Sequence, residues 1–143
     1  IPGELGSLSS LKELYLSDND LSGSLPSIFG NFSDLQFLNV SFNRFTGQIP
    51  STLYHLSSLV QMSMQSNLFT GSIVVPSSEG LELVDVSDNK FTESLPSNLP
   101  EIAPMLSILD ASRNCLSLEM PVNLCDLTNL TTLVLNGIHH KST

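Results

Sequence analysis

Two aspartates invite a chemical reading first. Asp85 and Asp110 hold the same place in the segments "LVDVSDN" and "ILDASRN", and Asp88 and Arg113 follow them at the same offset. Two carboxylates brought together can divide the roles of general acid and general base, or can meet a basic group on a peptide partner. Tyr15, Phe37 and Phe42 stand at related places in earlier segments. His139 and His140 look superficially like a metal tract, but a structural zinc wants four ligands and no further Cys or His surrounds them. No metal or cofactor is expected. Cys115 and Cys125 lie ten residues apart. A bridge needs Cα atoms within about 7 Å, so two small buried thiols are expected, with a disulfide as the alternative. Asn31, Asn39 and Asn129 each open an Asn-x-Ser/Thr sequon. No hydrolase, phosphate-loop or dinucleotide motif accompanies these residues.

What would position them is a repeat. Sliding the chain against itself aligns "LYLSDNDLSGSLP", "LQFLNVSFNRFTGQIP", "LVQMSMQSNLFTGSI", "LELVDVSDNKFTESLP" and "LSILDASRNCLSLEMP". The shared pattern is L-x-x-L-x-L-x-x-N-x-L-x-G-x-I-P. Its asparagines, at 19, 43, 67, 89 and 114, step by 24, 24, 22 and 25 residues. A sixth copy begins as "LTTLVL" at Leu130 and carries Ile138 where the asparagine belongs. Proline and glycine recur at set points and would break helices there, which excludes an amphipathic helical array. L-x-L has period two and predicts a short strand with two residues pointing inward. So short a strand is unstable alone. Coils must therefore stack roughly 4.8 Å apart, their leucines merging into one core, and six coils would make a curved rod about 30 Å long.

These copies, with "SGSLP" at Ser22–Pro26 and "TGQIP" at Thr46–Pro50, resemble the plant-type leucine-rich repeat of 24 residues. The resemblance covers nearly all of residues 1–138 and implies an α/β-type repeat solenoid. Its coil would be right-handed, with a parallel concave β-sheet, short 3-10 or irregular convex segments and few regular helices. Residues 139–143 would form a tail. Asn19, Asn43, Asn67, Asn89 and Asn114 are expected to form an internal ladder, each amide satisfying buried backbone groups where the chain leaves the strand. Gly23, Gly47 and Gly71 are expected to permit a backbone angle other residues resist. Glu93 and Leu118 replace that glycine later, and Val74 displaces the expected proline of the third copy, so the later coils should be less regular.

Residues beside the strand leucines then point out of the concave face in columns. One runs Glu13, Phe37, Gln61, Leu83, Ile108, Thr132; the next runs Tyr15, Asn39, Ser63, Asp85, Asp110, Val134. A third runs Ser17, Ser41, Gln65, Ser87, Ser112, Asn136, and a fourth Asp18, Phe42, Ser66, Asp88, Arg113, Gly137. Tyr15, Phe37, Phe42, Gln61, Asp85, Asp88, Asp110 and Arg113 are the candidate ligand-binding set. Exposed aromatics are enriched at recognition surfaces, although Phe37 and Phe42 could instead pack on each other. Asp85 and Asp110 would be direct neighbours, a destabilising juxtaposition. Either a basic group on a partner relieves it, or the face is simply solvated and softened by Arg113. A shallow open face would not exclude water, which argues against acid–base catalysis and for a chain that is not an enzyme. Asn31 and Asn129 fall on outer arcs, where a glycan projects into solvent. One at Asn39 would obstruct the inner face.

The chain's 14 Asp or Glu against 5 Lys or Arg leave no basic footprint for a nucleic acid. No apolar run approaches the 18 or so residues of a membrane span. The start on Ile1-Pro2, the end of a copy, predicts that this is part of something longer. The resemblance implies a protein-recognition scaffold, extracellular or luminal, typically a receptor ectodomain that binds a peptide or protein partner, with a co-receptor as a further partner. A docking subunit of a larger assembly and a secreted inhibitor of a cell-wall hydrolase are the alternatives.

Overall fold

Each Leu-x-Leu segment contributes a three-residue strand centred on its first apolar residue, because alternation buries that side chain and leaves its two neighbours to face outward; the second apolar residue expected in the strand lies just after it. A computed structural model describes residues 1–117 and 119–137. Leu118, Ile138, the His139–His140 pair and the proposed tail lie outside the described residues. In chain order the elements are η1 (Gly3–Ser7), β1 (Glu13–Tyr15), β2 (Ser22–Gly23), η2 (Ser27–Asn31), β3 (Phe37–Asn39), β4 (Arg44–Gln48), η3 (Ser51–His55) and β5 (Gln61–Ser63). There follow β6 (Leu68–Gly71), β7 (Leu83–Asp85), β8 (Lys90–Phe91), α1 (Leu99–Ile102), β9 (Ile108–Asp110), η4 (Leu124–Asp126) and β10 (Thr132–Val134). The η elements are 3-10 turns.

The first sheet is parallel, six strands in the order β1-β3-β5-β7-β9-β10. Its centre line is Leu14, Leu38, Met62, Val84 and Leu109, all buried. Leu133 ends the row and is 40% exposed, having a strand on one side only. Below this line Val40, Met64, Val86 and Ala111 continue the core.

A second parallel sheet, β2-β4-β6-β8, was not anticipated. It is built from the residues just after each asparagine. Phe45, Phe69 and Phe91 turn inward, fully buried, and stack ring on ring at centroid separations of 6.1 and 6.3 Å. Leu116 continues the row. Among the described residues the sheet stops after β8, and one backbone bond, from Cys115 N–H to Phe91 O, carries it further. Glu93 occupies the following turn where Gly23, Gly47 and Gly71 have φ of 83°, 77° and 77°, the left-handed region that glycine tolerates.

The convex side is closed by η2, η3 and α1, each following a proline: Pro26, Pro50 and Pro96. η2 and η3 approach so closely that a Cβ on Gly30 would lie 2.5 Å from the Thr52 carbonyl oxygen. Thr52 Oγ–H donates to Ser27 O at 2.7 Å across the same contact. The third coil, shortened to 22 residues and bearing Val74 in place of proline, has no such turn.

Candidate functional site

The register of the first sheet aligns the columns as expected: Glu13, Phe37, Gln61, Leu83, Ile108 and Thr132 are successive partners. So are Tyr15, Asn39, Ser63, Asp85, Asp110 and Val134, which sets Asp85 directly beside Asp110. Tyr15 is 59% exposed and Phe42 51%; Phe37, Gln61, Asp85 and Asp110 are half-buried, and Asp88 and Arg113 are exposed. All eight candidate residues therefore reach solvent. Phe37 and Phe42 form no ring pair among the described residues, so the alternative of mutual packing fails. Arg113 makes no ion pair among the described residues either. It does not soften the acidic pair through contact, contrary to expectation.

The carboxylates have a structural task as well. Ser87 N–H and Oγ–H donate to Asp85 Oδ1 at 3.0 and 2.6 Å, and Ser112 N–H donates to Asp110 Oδ1 at 2.9 Å. Asn39 Oδ1 accepts the same pair of bonds from Ser41. Each is an Asx turn, in which a short side chain caps the backbone two residues on. The signal was present as Asn/Asp-x-Ser at three equivalent places. It also explains the Asn39 sequon, whose Asn-Val-Ser is this turn. Ser63 and Gln65 interrupt the motif in the third coil, and Gln65 Oε1 is left buried with no partner.

The fourth column holds the least expected feature. Asp18, Phe42, Ser66, Asp88 and Arg113 all have positive φ, between 52° and 58°. Non-glycine residues in that region carry strain on the order of 1–3 kcal/mol. Aspartate tolerates it through local hydrogen bonding; phenylalanine and arginine do not. The asparagine ladder imposes it, because each ladder amide must reach back to carbonyls two and three residues earlier. Asn67 Nδ2–H donates to Val40 O of the previous coil at 3.0 Å and to its own Met64 O and Gln65 O, while Phe45 N–H donates to Asn67 Oδ1 at 3.0 Å. Asn43, Asn89 and Asn114 repeat the arrangement. Asn19, in the first coil, is exposed and bonds only to Leu16 O and Ser17 O.

Asn31 is exposed at the end of η2. Asn129 is exposed, with Nδ2 donating to Pro104 O at 2.9 Å. Both cysteines are free; Cys115 is half-buried and Cys125 exposed, so neither is the buried thiol expected. Their segments follow the last regular asparagine, where the coil no longer repeats the buried pattern. Among the described residues no helix is long and apolar enough to cross a membrane, and no group of three or more His, Cys, Asp or Glu could hold a metal ion.

A family model for the leucine rich repeat matches residues 9–69, and a second of the same description matches residues 80–102. Among solved structures the chain is similar to the plant peptide hormone receptor RGFR1 in complex with RGF2, at 31% identity and a TM-score of 0.91 over 98% of this chain and 22% of that one. It is similar to the ectodomain of the membrane receptor kinase GASSHO1/SCHENGEN3 from Arabidopsis thaliana, in complex with CASPARIAN STRIP INTEGRITY FACTOR 2. There the identity is 32% and the TM-score 0.89, over 95% of this chain and 17% of that one. The Arabidopsis receptor kinase HAESA ectodomain, in complex with an extended IDA peptide hormone, matches at 28% identity and a TM-score of 0.85, over 94% and 23%. The chain thus spans roughly a fifth of the length of these receptors. No curated protein matches it.

Proposed function

Because the chain belongs to the leucine-rich repeat family, we propose that it is a recognition module that binds a peptide or protein partner on the concave face of its first sheet. Residues 1–138 act as the recognition unit of a receptor-like ectodomain, on the extracellular or luminal side of a membrane, and not as a catalyst. A co-receptor is a second partner of the same chemistry. A nucleic acid is not, given a net charge of −9.

The observation that carries this reading is Phe42. A large aromatic ring is held half-exposed on a backbone position strained for it, in a column where aspartate twice supplies a comfortable residue. The ladder sets the backbone there for every coil, so what distinguishes Phe42 is the large exposed ring, and exposed aromatics are enriched at recognition surfaces. With Tyr15 and Phe37 it forms an aromatic end of the sheet, and Asp85, Asp88 and Asp110 form an acidic continuation. A partner with apolar side chains at one end and a lysine or arginine at the other fits this surface.

The test is selection of displayed random dodecapeptides against the folded chain, followed by affinity measurement on variants. Phe42→Asn relieves the strained backbone, so the variant should unfold no earlier than the parent. Asp85→Asn with Asp110→Asn keeps the Oδ1 acceptors of both Asx turns, as Asn39 does, and removes only charge. Both changes create Asn-x-Ser, so the protein is produced without glycosylation. Selected peptides should lose about tenfold in affinity for either variant, while thermal stability holds or rises by a few tenths of a kcal/mol as like charges separate. Peptides that bind parent and both variants equally would remove the concave face from the proposal.

Glycans belong on the exposed Asn31 and Asn129, and not on the half-buried Asn39, whose amide closes an Asx turn. Peptide mapping by mass spectrometry of secreted protein checks this; a glycan on Asn39 contradicts the concave reading, since it would cover the binding face.

A further inference from the structure

The third coil's missing turn leaves a built hollow on the convex side. Its backbone is drawn inward and braced on both neighbours: Ser77 N–H donates to Tyr54 O at 3.0 Å and Ser78 N–H to Ile102 O at 2.9 Å. Ser78 Oγ–H donates to Leu59 O at 2.7 Å, and Ser78 is only 2% exposed. η3 and α1 therefore stand apart as walls, with Ile73, Val74 and Val75 as the floor. The trough between them encloses about 480 Å³, within the range of small-ligand and side-chain pockets. Tyr54, 41% exposed, forms one wall and Ile102 the other. A second hollow of about 520 Å³ shares Ile73 and Pro96 with the first and extends it to Glu93.

Charge completes the picture. Glu93 is the one carboxylate lining either hollow, with His55 on the first, and it occupies the turn position that Gly23, Gly47 and Gly71 hold elsewhere. Glu79 and Glu101, both exposed, adjoin Ser78 and Ile102 at the α1 rim. Between residues 51 and 102 the chain has six acidic residues and Lys90 as its only Lys or Arg. An apolar floor inside an acidic rim favours an occupant that is itself apolar and cationic.

We propose that this trough binds an extended peptide segment of a partner, an apolar side chain seated between Tyr54 and Ile102 and an adjacent lysine or arginine paired with Glu93. This is a second site, on the face opposite the concave sheet, and it does not depend on the concave reading.

The experiment selects displayed random octapeptides on the full chain carrying Phe42→Asn, Asp85→Asn and Asp110→Asn, which silences the concave face. Enriched peptides should place Lys or Arg beside Leu, Phe or Met. Their affinity should fall about tenfold with Tyr54→Ala and about threefold with Glu93→Gly, and should weaken as salt is raised. Glu93→Gly installs the residue that three other coils carry there, so it tests the charge even if Tyr54→Ala unfolds. No enrichment, enrichment of acidic or uncharged sequences, or binding indifferent to both substitutions overturns the proposal. A normal result here with failure of the concave variants would leave this site standing alone.

Discussion

Replacing Phe69 by alanine is expected to lower stability by about 3–5 kcal/mol, the range for truncating a fully buried aromatic residue. Phe69 is 0% exposed and its ring stacks on Phe45 on one side and Phe91 on the other. It is therefore the central link in the row that joins the second coil to the fourth. A solenoid is held by neighbour contacts alone, so a gap in the middle weakens the coupling between its halves as well as the local packing. Equilibrium denaturation should show a shallower transition, or two, instead of one cooperative step. Hydrogen exchange should show residues on either side of the third coil losing protection independently. Phe69→Leu, which refills most of the volume, should cost under about 1.5 kcal/mol. A cost for Phe69→Ala no larger than that of Phe69→Leu would mean that the second sheet contributes little to cohesion.

Asn67→Ala should be nearly as damaging, at about 2–5 kcal/mol, for a different reason. The substitution leaves Phe45 N–H without its partner inside the core and removes the amide that donates to Val40 O, Met64 O and Gln65 O, although Val40 O keeps Asn43 Nδ2–H. The orphaned donor costs about 1–3 kcal/mol, and each lost donation to a carbonyl that keeps another partner about 0.5–1.5 kcal/mol. The unfolding midpoint should fall on the order of 10 °C for a chain of this size. Asn19→Ala serves as the control. The same residue type sits at the same repeat position, but it is exposed and makes only two bonds to its own coil. It should cost under about 1 kcal/mol. Equal losses at both positions would show that the asparagine matters for local turn geometry and not for tying coils together.

The roles of Asn67 and Phe69 are not equally legible in the sequence. The ladder could be read directly, because a polar residue at a constant offset from buried leucines has only one kind of role in a stacked coil. Phe45, Phe69 and Phe91 recur at the leucine position two residues after the asparagine, but β8 and β2 are two residues long. No period-two pattern can be recognised over so short a run, and the sheet exists only because neighbouring coils supply the partner strand. The candidate site divides in the same way. The columns followed from register alone, whereas the Asx turns at Asp85 and Asp110 and the positive φ at Phe42 depend on where backbone groups lie in space.

By itself the order of residues along the chain determined the coil, its spacing, the buried spine and the alignment of Asp85 with Asp110. Those are consequences of one short pattern repeated, and repetition forces identical units to stack in register. Tertiary structure alone decided that a two-residue shortening and Val74 would open a trough instead of tightening the coil, that Glu93 would line the hollow beside it, and that Cys125 would lie exposed. These are departures from the pattern. A departure has no partner within its own repeat, so its outcome depends on which neighbouring coil yields, and that is a matter of packing between units distant in sequence.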